Sequence, residues 1–197
     1  MNENNLLDGV EFMGENVKDK VKFCGEGVVI YPLAKIIRPT NAELDNYCRI
    51  FDFSFIDGGT SVKIGKYTTI TWYVLIEGGG TVSIGDRVFV GPGSKILNST
   101  YKLNGYYVVE HMAEGVQEID YKDIVIEDDA YIGANCTIMP GIHIGKGAVI
   151  GANSLVTKDV EPWGIYVGTP AKKIGVREKP TEERQKIVQS LDWSNHL

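Results

Sequence analysis

The chain has 197 residues, 43% of them apolar and 23% charged, with a formal net charge of −6. That length fits one domain with a modest core. The charge, with no run of Lys or Arg, argues against nucleic-acid binding, and no apolar stretch approaches the ~20 residues of a membrane span. The three cysteines, Cys24, Cys48 and Cys136, form no C-x-x-C pair, and the start "MNENNLLDGVEF" has neither the basic nor the apolar part of a signal peptide. Both features predict reduced thiols in a cytoplasmic protein.

Residues 1–22 hold no period and are expected to cap the first coil of a repeat. From Cys24 onward large aliphatic residues recur every six positions: Ile30 and Ile36, then Leu44, Ile50 and Ile56, then Ile64, Ile70 and Ile76, then Ile84, Val90 and Ile96. Each third step is eight residues instead of six (36→44, 56→64, 76→84). After a break the six-residue rhythm resumes at Ile126 and continues through Ile132, Ile138, Ile144, Ile150 and Val156. Four residues after each aliphatic position stands a small or β-branched side chain, such as Ala34, Cys48, Ser94, Cys136 or Ser154. A period of six is a multiple of the strand repeat and not of the helical one. It predicts a short strand and a turn repeated three times per coil, stacked into a triangular prism whose coils bury their apolar faces against one another. The two extra residues of each eight-residue step then always emerge at the same prism corner, and the insertion over 97–123 is an enlarged form of that bulge. Long insertions of this kind in compact domains are usually functional. The end, "KPTEERQKIVQSLDW", predicts a short helix capped by Thr181, with Glu182 and Glu183 in its first turn and Ile187, Val188 and Leu191 as an apolar stripe that caps the top coil or packs on a neighbouring subunit. The expected organisation is a cap over 1–22, a β-helix over 23–177 and a helix over 178–197.

The run "IGANCTIMPGIHIGKGAVIGANSLVTKDVEPWGIYVGTPAKKI", Ile132 to Ile174, resembles the terminal coils of the hexapeptide-repeat acyltransferases, in the branch acting on sugars and nucleotide sugars. The likeness extends over about 30–177. It implies an all-β, left-handed parallel β-helix, assembled as a homotrimer, that moves an acyl group from acetyl-CoA or a longer acyl-CoA to a small acceptor held in the cleft between adjacent prisms. The left hand comes from the family alone and departs from the usual right-handed crossover. Carried over residue by residue, the resemblance places coenzyme A along Gly133, Ala134, Gly151 and Ala152. Thr157 and Lys158 match the family's "TK" pair, and Thr169 and Lys172 lie in its "G-x-P-A-K" segment, with Lys173 and Arg177 as further phosphate ligands. The same glycines and lysines also suit plain coil geometry and solvated surface.

One departure bears on mechanism. Where many relatives carry a histidine that acts as general base, this chain has Tyr101, whose ordinary pKa of about 10 makes it a poor base at neutral pH. Three resolutions stand open. His111, Glu110 or Glu77 replaces the base. Alternatively no base is needed, because the acceptor is an amine that is nucleophilic when neutral. Otherwise the fold has become a non-catalytic scaffold. The second favours N-acylation of a nucleotide-linked amino sugar of the kind made for surface polysaccharide such as lipopolysaccharide. A sugar O-acetyltransferase using His111 is the alternative. Trp72, Tyr73, Asn98 and Tyr106 are candidate acceptor contacts, the aromatics by stacking on a ring or, equally, by packing between subunits. A zinc enzyme on this fold needs three converging histidines. The three here, His111, His143 and His196, include one in a loop and one at the terminus, so no metal is expected.

Overall fold

The computed structural model describes residues 10–108 and 115–190. They form a parallel β-solenoid of about seven turns with a short C-terminal helix, the all-β class expected from the repeat. Three sheets make its faces. The first stacks Phe23–Cys24, Ala42–Leu44, Ser61–Ile64, Thr81–Ile84, Ile124–Ile126 and His143–Ile144. On the second, Ile30, Ile50, Ile70, Val90, Ile132 and Ile150 are in register from coil to coil. On the third, so are Ile36, Ile56, Ile76, Ile96, Ile138 and Val156. These residues are at most 1% exposed and share one buried cluster with the inward residues of the first face, such as Leu44, Ile64 and Ile126. The coils therefore begin where the counting placed them, and the insertion leaves between the third face and the first.

The small residues at the turns do more than fill corners. Ser54 Oγ donates to the Thr71 carbonyl (2.7 Å), Ser94 Oγ to the Gly133 carbonyl (2.9 Å) and Ser154 Oγ to the Gly151 carbonyl (2.6 Å). Each buried hydroxyl thus satisfies itself on a corner carbonyl, which removes the penalty of burying an unpaired polar group.

At the bottom, residues Gly14–Lys20 form a 3-10 helix that inserts Val17, fully buried, into the open end of the prism. Gly14 N–H donates to the Ala34 carbonyl (3.0 Å) and Lys22 N–H to Ala42 (2.9 Å), which occupies edge acceptors left open by the first coil. At the top the edge is closed by an antiparallel strand, Lys172–Val176, on Gly164–Val167.

The helix runs over Glu182–Ser190, and Arg184 N–H donates to Thr181 Oγ1 (3.3 Å), as the capping pattern predicts. Of the two placements expected for its stripe, capping of the top coil is not seen; the other, against a neighbouring subunit, concerns a second copy. No residue of the helix is buried, and Ile187 remains 49% exposed because the helix stands beside the solenoid instead of over its top coil. A cleft of about 520 Å³ separates it from Arg87, Asp129, Lys146 and Trp163. Leu191 lies outside the described residues.

Candidate active site

Within each coil the chain turns three corners. The first follows face one, at 45–48, 85–88, 127–130 and 145–148. The second follows face two, at 51–54, 71–74, 91–94, 133–136 and 151–154. The third carries the bulges, at 38–41, 58–60, 78–80 and the insertion.

The second corner collects Gly133, Ala134, Gly151 and Ala152, with Thr169 at the turn above and Lys172 just beyond it. The coil stacking itself demands glycine here. A Cβ on Gly91 would stand 2.6 Å from the Gly133 carbonyl carbon, and one on Gly133 would stand 2.6 Å from Ala152 N. The result is a corner with little side-chain cover along the upper coils, termed the furrow below. Its polar groups differ from the simplest expectation. Gly133 N–H donates to Ile150 (2.8 Å) and Gly151 N–H to Tyr166 (2.8 Å), while their carbonyls accept from Ser94 and Ser154, so their backbones belong to the ladder. Among the described residues the N–H groups of Ala134 and Ala152 have no protein acceptor. They are the donors the furrow offers to an amide-bearing ligand.

Trp72 and Tyr73 stand on the same corner one coil below Gly91–Gly93, 45% and 61% exposed. Tyr73 stacks on Phe53 (centroids 4.9 Å, 8°), Trp72 meets Phe51 edge-on (4.6 Å), and Phe51 stacks on Tyr31 (4.4 Å). The corner is therefore aromatic below and nearly side-chain-free above.

The other expected coenzyme contacts are dispersed. Thr157 and Lys158 are exposed on the third corner. Lys173 pairs with Glu161 (2.5 Å). Arg177 lies at the first corner, where it donates to the Asp129 and Gly147 carbonyls (2.8 and 3.2 Å) and covers the Trp163 ring at 5.7 Å. That geometry makes Arg177 a brace for the last coil.

The insertion begins as a hairpin and not as irregular chain. Ser99–Tyr101 pairs antiparallel with Ile119–Tyr121, and the pairing extends outward through Lys102 N–H to Glu118 (2.8 Å) and Tyr107 N–H to Val116 (2.9 Å). Glu118 sits between Lys102 and Tyr106. Its contacts with the lysine, then with the tyrosine hydroxyl, hold its carboxyl below the ordinary carboxylate range. The same contact raises the Tyr106 hydroxyl. Tyr106 thus spends its hydroxyl on Glu118 of the returning strand. Asn98 is 1% exposed at the base of the stem, where its Oδ1 accepts from Gly80 N–H (3.2 Å) and its carbonyl from Lys122 N–H (2.8 Å). Glu77 is exposed at the end of the third face, alongside Leu97. Tyr101 is half-buried in the stem. His111 and Glu110 lie outside the described residues, as does His196. His143 is exposed on the first face, its Nε2 2.8 Å from Glu127.

Three features were missed from sequence. Arg38 holds Asp57, which is 8% exposed, in a two-point pair (Nε to Oδ1, 2.6 Å) just below the loop base. Tyr121 packs on Gly79, where a Cβ would stand 2.8 Å from its ring. The Lys102–Glu118–Tyr106 cluster is the third. All three join residues far apart in the chain, and only the register of coils and stem brings them together. Among the described residues no group of three or more His, Cys, Asp or Glu side chains is arranged to hold a metal.

Comparison with known proteins agrees with this architecture. Residues 123–158 match the family model "Bacterial transferase hexapeptide (six repeats)". A probable macrolide acetyltransferase of Lysinibacillus sphaericus is 44% identical over 87 residues, 44% of this chain and 47% of that protein. A chloramphenicol acetyltransferase of Klebsiella aerogenes is 51% identical over 71 residues, 36% and 33% of the two chains. The chain thus spans between a third and about half of the length of these curated relatives. Among solved structures, AntD, an N-acyltransferase from Bacillus cereus in complex with dTDP and 3-hydroxybutyryl-CoA, superposes with a TM-score of 0.80 at 25% identity, over 88% of this chain and 93% of that one. A hexapeptide-repeat acetyltransferase from Vibrio cholerae with bound acetyl coenzyme A reaches 0.61 at 26% identity, over 83% and 75%. Hexapeptide repeats at 123–158 and a solenoid that superposes on these acyltransferases over most of its length are what the chain shares with them.

Proposed function

We propose that the protein transfers an acyl group from acyl-CoA to the amino group of a nucleotide-linked amino sugar. The observation that carries this reading is the similarity to AntD over nearly the whole of both chains, including a complex of that enzyme with dTDP-4-amino-4,6-dideoxyglucose and coenzyme A. The second corner supports it, with a furrow of small residues, two unpaired N–H donors for the pantetheine amides, and Thr169 and Lys172 at the upper end for the phosphates.

In the reaction the neutral amine attacks the thioester carbonyl. The C–N bond forms, the C–S bond breaks, and the proton leaves the nitrogen for the departing thiolate or solvent. An amine needs no protein base for its first step, which accommodates Tyr101 in the usual place of a histidine. Positioning and an N–H donor to the oxyanion then supply the catalysis. Within one chain the loop base (Glu77, Asn98, Tyr101) lies on the third corner and the furrow on the second. A site uniting them forms when the loop of one subunit reaches the furrow of the next, as in a homotrimer. The reduced cysteines suit a cytoplasmic enzyme supplying surface polysaccharide, such as lipopolysaccharide, with acylated sugar.

A second reading has its own support. Sequence relatives include macrolide and chloramphenicol acetyltransferases, which favours an O-acetyl transfer with His111 as base. Thiol release from acetyl-CoA, measured with amino-sugar and plain-sugar nucleotides in the wild type and in the Tyr101→Phe and His111→Ala variants, separates the readings. N-acylation predicts turnover with the amino sugar and little loss in either variant. Turnover with hydroxyl acceptors alone, abolished in His111→Ala, establishes the second reading. No turnover with any acceptor favours a non-catalytic scaffold.

A further inference from the structure

We propose that the aromatic lower half of the second corner binds the acyl chain of the donor and selects acyl groups longer than acetyl. The inference rests on reading the furrow above it as the coenzyme A site. Along that corner one column of residues runs Leu33, Phe53, Tyr73, Gly93, Asn135, Asn153 from bottom to top. All from Phe53 upward have positive φ, between 55° and 73°. Gly and Asn are the residues that tolerate this conformation, and a bulky aromatic there is a backbone outlier. The upper positions carry the residues the backbone prefers. Phe53 and Tyr73 do not, and they project into solvent at 51% and 61% exposure. With Leu33 (47%) and Trp72 (45%) they form a continuous exposed apolar strip. Phe53 and Tyr73 stack on each other, as Tyr47 and Tyr67 do at another corner, yet more than half the surface of each stays uncovered by this chain.

The strip's place along the corner identifies its occupant. Coils rise by about 4.8 Å, so from Thr169 through Ala152, Ala134 and Pro92 to Trp72 is about 19 Å. An extended pantetheine arm covers a distance of this order. With its phosphates at the Lys172 end, the thioester arrives beside Pro92 and Trp72, and the acyl group points away from the charged end. What lies ahead of it is the strip, running about 14 Å from the Gly93 level to Leu33. The corner thus changes from cationic, to small and polar, to apolar in the order of the parts of an acyl-CoA.

Burying a methylene fully is worth about 0.8 kcal/mol, so a chain covered on one side gains about half of that, or about twofold in affinity per methylene. Calorimetric titration of the full chain with coenzyme A, acetyl-, butyryl-, hexanoyl- and octanoyl-CoA tests the proposal. The expected result is a Kd that falls about twofold per added methylene, about 60-fold in all from acetyl to octanoyl. In Phe53→Asn the gain should stop near butyryl, while free coenzyme A still binds. Asparagine already occupies this column at φ 55° and 58°, so the substitution suits the backbone, and a thermal melt confirms folding. Binding of coenzyme A with a flat chain-length series overturns the proposal and leaves the coenzyme site intact. A gain that persists unchanged in Phe53→Asn also overturns it. A change of oligomeric mass in that variant without a change in chain preference assigns the strip to a subunit interface and overturns it too. Failure of coenzyme A itself to bind removes the underlying reading of the furrow.

Discussion

The lower and upper halves of the second corner share one backbone and differ in nearly every outward side chain. Inside, both present the same aliphatic ladder, Ile50 and Ile56 below, Ile132 and Ile138 above, all fully buried. Outside, Phe51, Phe53, Trp72 and Tyr73 below give way to Gly91, Pro92, Gly93, Gly133 and Ala134 above. The six-residue rule governs only what faces the core. The outward positions are free to vary, and they vary in blocks several coils long, which is the length scale of a ligand lying along the prism axis.

The first way to break this comparison is through the shared core. Ile56→Ala and Ile138→Ala each remove a fully buried side chain, and each should cost about 2–5 kcal/mol in urea unfolding. If the lower change were mild and the upper severe, the two halves would not be one cooperative core. The next attacks the upper exterior. Ala152→Trp fills the furrow from an exposed position, so coenzyme A affinity should fall at least tenfold, or about 1.4 kcal/mol, with the melting temperature nearly unchanged. An unaltered Kd by calorimetry would move the coenzyme site elsewhere.

A smaller effect is expected at the lower exterior. Phe53→Asn relieves a left-handed aromatic, worth about 1–2 kcal/mol, and loses one aromatic stack, worth about 0.5–1.5 kcal/mol. Stability should therefore change by less than about 1 kcal/mol. A large loss would mean that the aromatics are structural. The smallest effect concerns the loop. Because the Glu118 carboxyl is held below its ordinary range by Lys102 and Tyr106, its contribution is present above the unfolded carboxylate pKa and fades as pH falls through the lowered folded value. Hydrogen exchange at Lys102 and Tyr107 should accelerate only in that acidic window, with the core coils unaffected.

The difference between inside and outside also explains what could be read from sequence. Ile30 to Val156 announced the coils because one residue in six must be large and buried, and the eight-residue steps located the third corner. Gly133, Ala134, Gly151 and Ala152 were all legible as corner residues, but only the ladder shows that the two glycine N–H groups are spent and the two alanine N–H groups are not. Arg177 was placed with the phosphates by motif and braces the first corner instead, because a hairpin after Gly168 carries it across the second face. The stem at Ser99–Tyr101 and Ile119–Tyr121 has no alternation to betray it, being half-exposed on both faces. Asn98 looked like a ligand contact from its position before the loop, and burial ties it to Gly80 and Lys122.

Two acceptors differing in one heavy atom distinguish N-acylation from O-acylation directly. The enzyme is given acetyl-CoA with a dTDP-linked 4-amino-4,6-dideoxyhexose or with its 4-hydroxy counterpart, and products are identified by mass spectrometry. The account predicts an amide from the first and, for want of a positioned base, ester formation at least about 10²-fold slower from the second. Ester formation at a comparable or greater rate would contradict it.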